Sequence, residues 1–371
     1  MKRTLLFFGV LAWGLTAILL LGVIVSSLTG WFSIPYPNFH FPDIHWGASN
    51  MELLREESFS VAELTGLTVR GRSEDIRVSL TDGDRVTIRQ YGNAGADLPF
   101  IDESEGKEGG YALTITVPWR IRILSFVFWY DNYMEIELPE RYARDLELSS
   151  TSGSVSFPAG YTGRALSLSS TSGNVTLGVS HVDSMSMSAV SGDIRLENAD
   201  VAGDVKIETT SGGIHAADIR AQNAHLRSVS GAIQFATMTL ENRAELKTTS
   251  GGIRAGALYC RDFDAQSLSG QISFDTALSG GGQLRTTSGG ITASSVALIG
   301  AFEVHSTSGG VRLTLAPGQN CQLRLSSVSG GLRGNVPLSY DKNGKTATGI
   351  VGDGGPLLSA SSTSGGVTVN Q

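Results

Sequence analysis

The feature that most constrains this chain is a glycine that keeps returning at one spacing. Eleven times between Ser152 and Gly366 the sequence reads Ser-Gly and then, two residues after the glycine, Val, Ile or Leu. The glycines are Gly153, Gly173, Gly192, Gly212, Gly231, Gly251, Gly270, Gly289, Gly309, Gly330 and Gly365, and nine of the ten steps between them span 19 to 21 residues. A unit so short, repeated so often, has too little apolar surface to build a core of its own each time. It predicts a solenoid in which each repeat is one coil stacked on the last.

Alignment on the glycines shows what the coils share. Two residues after the glycine stand Val155, Val175, Ile194 and their counterparts through Val367; five before it stand Leu148, Leu168, Met187, Ile207 and so on; seven before it stand Leu146, Leu166, Met185 and Val205. The residues between are mostly Ser, Thr, Glu, Lys, Arg, Gln or His. That period-two alternation is the pattern of strands with one buried face. Each repeat is therefore read as two short strands meeting at a Ser-Gly corner. Continuing the alternation, the serine before each glycine and the Ser, Thr or Ala two residues earlier are expected to point inward as a stacked hydroxyl ladder. The glycine, often followed by a second one, is expected to supply turn angles that a β-carbon would forbid. The recurring Thr-Ser-Gly is thus structural turn chemistry and not a row of nucleophiles, since no base recurs beside it.

The regions outside the repeats give the organisation. Lys2 and Arg3 precede an uncharged, Leu-, Val-, Ile- and Phe-rich stretch over residues 4–28. As a helix it would run about 37 Å, long enough to cross a roughly 30 Å hydrocarbon layer. Residues 1–30 are accordingly read as a cytoplasmic tip and a single transmembrane helix, with a cleaved signal peptide as the alternative. The next Lys or Arg after Arg3 is Arg55, so the positive-inside rule puts the remainder outside the cytoplasm. Residues 31–50, with Trp31, Phe32, Tyr36, Phe39, Phe41 and Trp46 among prolines, suit a juxtamembrane linker. Residues 51–144 read as an irregular β cap in which Leu67, Val69, Ile76 and Val78 keep the repeat spacing, with Glu74 in the glycine's place. Within it, 106–110 is expected as a loop and 121–130 as a buried cap strand or an exposed apolar patch. The repeats occupy 145–371. The 35-residue step from Gly330 to Gly365 predicts an inserted hairpin at about 335–357, able to fold over the terminal edge before the last rung.

Searching for chemistry narrows the function. Charged residues are only 17% of the chain, the net charge is −7 and the basic residues are dispersed, which argues against a nucleic-acid partner. Cys260 and Cys321 lie three repeats apart, about 14 Å along a stack with about 4.8 Å per rung, too far for a disulfide. The six histidines (His40, His45, His181, His215, His225, His305) fall at different repeat positions, and Asp75 and Asp193 occupy the corner only singly, so no metal or cofactor is expected. Carboxylates on outward columns (Glu147, Glu208, Asp264, Glu303) form no pair that the sequence demands, and Asp353 reads as part of a Gly-Asp-Gly turn. An outward column two residues before each glycine (Thr151, Thr171, Val190, Thr210, Val229, Thr249, Leu268, Thr287, Thr307, Val328, Thr363) forms a Thr/Val ridge, which β propensity alone would also produce.

These repeats, with Ser73-Glu74-Asp75-Ile76-Arg77-Val78 near the start, Ile136-Glu137-Leu138-Pro139 before the first full unit, and Gly352-Asp353-Gly354 before the closing Ser362-Thr363-Ser364-Gly365-Gly366-Val367, resemble the bacterial β-strand repeat proteins grouped as "putative adhesins", a family of unknown function, over roughly residues 55–371. The resemblance implies no catalytic residues to carry over. The expectation is an all-β solenoid of about eleven rungs behind a membrane anchor, acting as a non-catalytic binding, adhesion or envelope scaffold protein. Its partners would be the lipid bilayer through residues 4–28 and an envelope protein or polysaccharide. Self-association through solenoid ends or the Thr/Val ridge, and a polysaccharide-acting β-helix enzyme, are the alternatives.

Overall fold

The computed structural model describes residues 51–92, 100–105, 111–116 and 132–371. The membrane helix expected at 4–28, the linker at 31–50, the loop at 106–110 and the apolar segment 121–130 lie outside the described residues. No helix among the described residues is long and apolar enough to cross a membrane.

The described chain is all β and forms a solenoid. We name each level of the stack by its corner glycine and number positions from it. Parallel ladders join every level to the next with the glycine columns in register: Leu168 pairs with Leu148 and Met187 on one wall, and Ile194 pairs with Val175 and Ile214 on the other. The columns at −7, −5 and +2 are buried along the whole stack. Where Gly282 leaves a gap at −7, the rings of Phe263 and Phe302 close it from the levels on either side, with centroids 5.3 Å apart.

The coil has three faces, one more than the two strands expected. Along Ile214–Ser228 the inward residues are Ile214, then Ile219 and Ala221, then Ala224, Leu226 and Ser228. The alternation breaks twice, and each break is a bend. The middle face carries a further buried column at +7, formed by Ala199, Ile219, Met238, Leu258, Ala277 and Val296.

The corner glycines do not need unusual angles: none is among the positive-φ residues. They are needed because successive levels touch there. A β-carbon on Gly173 would lie 2.2 Å from the carbonyl oxygen of Gly153, and one on Gly231 would lie 1.8 Å from that of Gly212. The glycines that follow them are less closely confined: Gly310 and Gly331 face ordinary or open space, whereas a β-carbon on Gly252 or Gly366 would lie 3.0 or 3.1 Å from a carbonyl oxygen, and the position admits Ser154, Asn174, Asp193, Ala232 and Gln271 elsewhere.

The inward hydroxyl column is at −3 only. The serine at −1 is exposed (Ser152, Ser172, Ser211, Ser250), because the chain bends across −2 and −1 and loses the alternation there. Each −3 hydroxyl donates to the corner carbonyl of the level before and accepts from its own corner amide. Ser228, for example, reaches Gly212 O at 3.0 Å and Gly231 N at 2.8 Å. Ala189, and Gly71 at the Glu74 level, lack the group. Ser228→Ala is expected to cost about 1–3 kcal/mol, because a buried donor and a buried acceptor lose their partner together. Ser230→Ala, one column over and exposed, is expected to be near neutral; paired thermal melts of the two variants check this.

The order of levels departs from chain order at both ends. Eight steps rise in sequence from Gly153 to Gly309. Above Gly309 lies the level of Gly365, and Gly330 comes after it: a β-carbon on Gly365 would meet Gly309 O, and one on Gly330 would meet Gly365 O. The rung expected to be last is therefore interior. Leu357–Ser362 lies between Phe302–Ser306 and Cys321–Ser327, and Val367–Asn370 lies between Val311–Leu315 and Leu332–Gly334. Thr346–Val351 then pairs antiparallel with Cys321–Ser327, and Ser339–Tyr340 pairs with Thr346–Val351. At the other end the Glu74 level, expected to be a terminal one, is sandwiched between Tyr111–Thr116 with Tyr133–Pro139 and Asp145–Ser150 with Val155–Phe157. Antiparallel strands Phe100–Glu105, Arg85–Gly92 and Glu52–Ser60 follow outward.

Candidate binding surface

A broad open concavity lies on the outer face of the wall that precedes the corner. Outward residues at the levels of Gly153, Gly173 and Gly192 are serines: Ser149, Ser167, Ser169, Ser186 and Ser188, all half-buried. Longer side chains stand around them. Arg70 and Glu147 face each other at 3.6 Å on one side, and Lys206 pairs with Glu208 at 2.9 Å on the other. A short floor between tall rims makes two adjoining open depressions of 1090 and 690 Å³. The exposed Thr/Val ridge at Thr151, Thr171, Val190, Thr210 and Val229 borders the second.

Most of the trough's charges are spent on one another, with Arg144 and Arg227 left outside the pairs among the described residues. Arg164 grips Asp145 with two hydrogen bonds of 2.7 and 2.6 Å and holds that carboxyl below the usual range. Farther along the wall, Lys247 and then His225 lower the Glu245 carboxyl in the same way. Arg243 bonds Asp262, and Arg285 bonds Glu303 at 3.2 Å. Of the carboxylates read as outward, Glu147, Glu208 and Glu303 are outward; Asp264 is covered, its side chain 7% exposed and bonded to Gln266. Such a surface offers hydroxyls and paired charges, which suits reversible contact with a polar partner. It does not show a nucleophile with a base and an orienting group.

The remaining sequence candidates are scattered. Cys260 and Cys321 are separate free thiols, and burial pushes that of Cys260 up to about 11. Among the described residues no group of His, Cys, Asp and Glu gathers as a metal site. Asp353 is in a turn whose amide donates to Asn320 Oδ1 at 3.2 Å, between Gly352 and Gly354, both at positive φ.

A second polar ladder, missed in the sequence, runs along the corner at +1. Asp75 Oδ1 accepts from Ser154 N at 2.8 Å, Ser154 Oγ from Asn174 N at 3.2 Å, Asn174 Oδ1 from Asp193 N at 2.9 Å and Asp193 Oδ1 from Gly213 N at 2.9 Å. Its signal was the run of Asp, Ser, Asn and Asp immediately after the first corners.

The Toastrack DUF4097 family model matches residues 64–279 and, again, 264–370, which takes in the described coil from its second strand to its last. The chain belongs to the Toastrack family. The adhesin-like resemblance of the repeat units holds at this level. No curated protein matches the chain. Among solved structures, a "putative adhesin" from Parabacteroides merdae is similar at 10% identity and TM-score 0.34, covering 72% of this Toastrack chain and 97% of its own. One from Bacteroides fragilis has 11% identity and TM-score 0.30, covering 87% and 98%. A "putative cell adhesion protein" from Clostridium sporogenes has 9% identity and TM-score 0.20, covering 85% and 99%. At these identities and scores the likeness carries no argument about function.

Proposed function

We propose that this Toastrack protein is a non-catalytic binding or scaffold protein of the cell envelope, held by residues 4–28 in the membrane with its solenoid outside the cytoplasm. The observation that supports a binding role is the serine trough: a wide, open, hydroxyl-floored surface whose charged rim is mostly paired. The −3 hydroxyls are committed to the stack and the wall carboxylates Glu147, Glu208 and Glu303 to cations, so the wall spends these polar groups on structure and presents a surface. The charged start of the sequence supports the topology.

Adhesion to a polymer or to an envelope protein fits this reading better than end-to-end self-assembly. Both described ends finish in antiparallel strands flanked by charge, with Arg55, Glu56 and Glu57 in the strand at one and Asp341, Lys342 and Lys345 in the hairpin turn at the other, which disfavours edge pairing. A photo-crosslinker at Ser186 in intact cells is expected to yield one discrete adduct, abolished by Ser167→Arg, with external protease removing the solenoid. An intracellular, protease-protected solenoid would overturn the topology. Turnover of a cell-wall polysaccharide by the purified protein would overturn the non-catalytic reading.

A further inference from the structure

The corner ladder changes character half-way along the stack. At the levels of Glu74 and Gly192 one carboxylate makes two contacts. Asp193 accepts the next level's Gly213 N–H at 2.9 Å and pairs with Arg195, two residues on in its own level, at 3.0 Å. Asp75 does the same with Ser154 N–H at 2.8 Å and Arg77 at 3.7 Å. From Gly213 onward the +1 residue is Gly, Ala or Gln and the acid is gone, yet both of its partners recur. Arg254 follows Gly252, Arg312 follows Gly310 and Arg333 follows Gly331; all three are exposed and make no ion pair or hydrogen bond among the described residues. The amides of Gly252, Gln271, Gly290, Gly310, Gly366 and Gly331 likewise have no protein partner. At Gly213 the equivalent space is taken by the His215 ring, whose Nε2 lies 2.7 Å from where a β-carbon would be.

From the Glu74 level onward the +3 column to which these arginines belong has no acid: in stacking order it reads Arg77, Ser156, Thr176, Arg195, His215, Gln234, Arg254, Ser273, Thr292, Arg312, Thr368, Arg333. Asp275, two positions further out in the next level, forms no ion pair with Arg254. On a chain of net charge −7 this strip is locally cationic.

We propose that the strip from Gly252 to Arg333 binds an acidic polysaccharide, each carboxylate taking the place that Asp193 fills for itself. Two corners are complete. One joins Arg254 to the Gln271 N–H, and the other joins Arg312 to the Gly366 N–H. Arg333 extends the line at the end of the stack. The first two lie three levels apart and the last two lie two apart, about 14 and 10 Å at about 4.8 Å per level, so the ligand runs along the stack. Charge-assisted contacts of this kind, an arginine fork plus a backbone amide, are the strong class of hydrogen bond. An acidic peptide strand fits less well. Every +1 carbonyl is already used, as Gly252 O is by Ile233 N and Gly366 O by Val311 N. The strip's backbone therefore offers unused donors but no unused carbonyl, whereas a peptide backbone would bring its own N–H groups and need acceptors.

This inference adds a face and a ligand class to the binding reading and is tested apart from the trough. Full-length protein in detergent micelles is titrated with polygalacturonate, with neutral dextran and with poly-L-glutamate. Polygalacturonate should bind, weakening as salt rises, while dextran should not. R254Q/R312Q/R333Q should weaken binding at least about tenfold. G310D, whose added β-carbon would meet only Gly366 O at 3.5 Å, should weaken it several-fold by supplying the acid internally. Ser167→Arg in the trough should leave this binding unchanged. Unaltered affinity in the triple variant, or tighter binding of poly-L-glutamate than of polygalacturonate, would overturn the proposal.

Discussion

Gly251→Ala is expected to open the solenoid at that level, at a cost above the roughly 1–3 kcal/mol usual for an overpacked core. The added carbon would sit 2.0 Å from Gly231 O, 2.4 Å from Gly231 C and 2.8 Å from Ala232 N, all backbone atoms held in the ladder. Relief requires the two levels to part by about 1 Å or more, since carbon and oxygen do not approach much inside van der Waals contact. That parting would break or stretch the bonds which tie the corner. Thr248 Oγ1 donates to Gly231 O at 3.0 Å, Gly251 N donates to Thr248 Oγ1 at 3.1 Å, and Ile233 N donates to Gly252 O at 3.0 Å. No flexible side chain is available to yield instead. Gly310→Ala is the matched control: it meets only Gly366 O at 3.5 Å and should fall within about 0.5 kcal/mol of the parent. Hydrogen exchange should show protection lost around residues 231–253 in the first variant and nowhere in the second. Equal stability of the two would mean that the corner glycines are not selected by contact between levels.

The contrast between these two glycines also shows what the sequence could reveal. Periodicity exposed the positions, since Gly251 and Gly310 both sit in the repeat, but not which of them faces backbone; that depends on the stacking distance at the bend. The −7, −5 and +2 columns were legible because one buried face gives strict alternation. The +7 column was equally present, as Ile219, Met238, Leu258 and Val296, but two bends shift its parity relative to the others, and a period-two count started at the glycine passes over it. The corner's +1 ladder escaped for a different reason: Asp75, Ser154, Asn174 and Asp193 share a hydrogen-bonding role without sharing a residue type. The trough was hidden because its floor is made of the same serines that the repeat uses everywhere; only their being outward at three consecutive levels, between longer neighbours, makes a depression. Stacking order escaped because the levels of Gly330 and Gly365 carry the same corner motif, and a local difference between them, Gly334 where the Gly365 rung has Val369, lies outside that motif.

That order carries the largest expected effect. Deleting residues 357–371 should not shorten the coil by an end unit; it should remove an inner level and release the one beyond it. Leu358, Ala360, Val367 and Val369 are fully buried, touched by levels on both sides. At about 1.5–3 kcal/mol for each large aliphatic side chain taken out of water, the lost burial alone is of the order of a whole domain's net stability, before the broken ladders are counted. Cys321–Ser327 would lose its parallel neighbour and keep only the antiparallel hairpin strand Thr346–Val351, while Leu332–Gly334 would lose its one partner. The physical reason for the interior placement is visible in the two rungs. The Gly365 rung keeps inward residues on both sides of its corner, whereas the Gly330 rung runs out after Leu332 into Arg333, Gly334 and Asn335, all exposed, and so can finish a stack but not continue one. The truncated protein is therefore expected to be cut rapidly by protease between residues 316 and 356 while the levels from Gly153 to Gly289 stay protected. A synthetic peptide of residues 357–371 added in trans should restore resistance by filling the vacated strand positions. A truncation that melts at the parent temperature, with no new cleavage, would show that Gly365 lies at the end of the stack after all and that the Gly330 level contacts Gly309 directly.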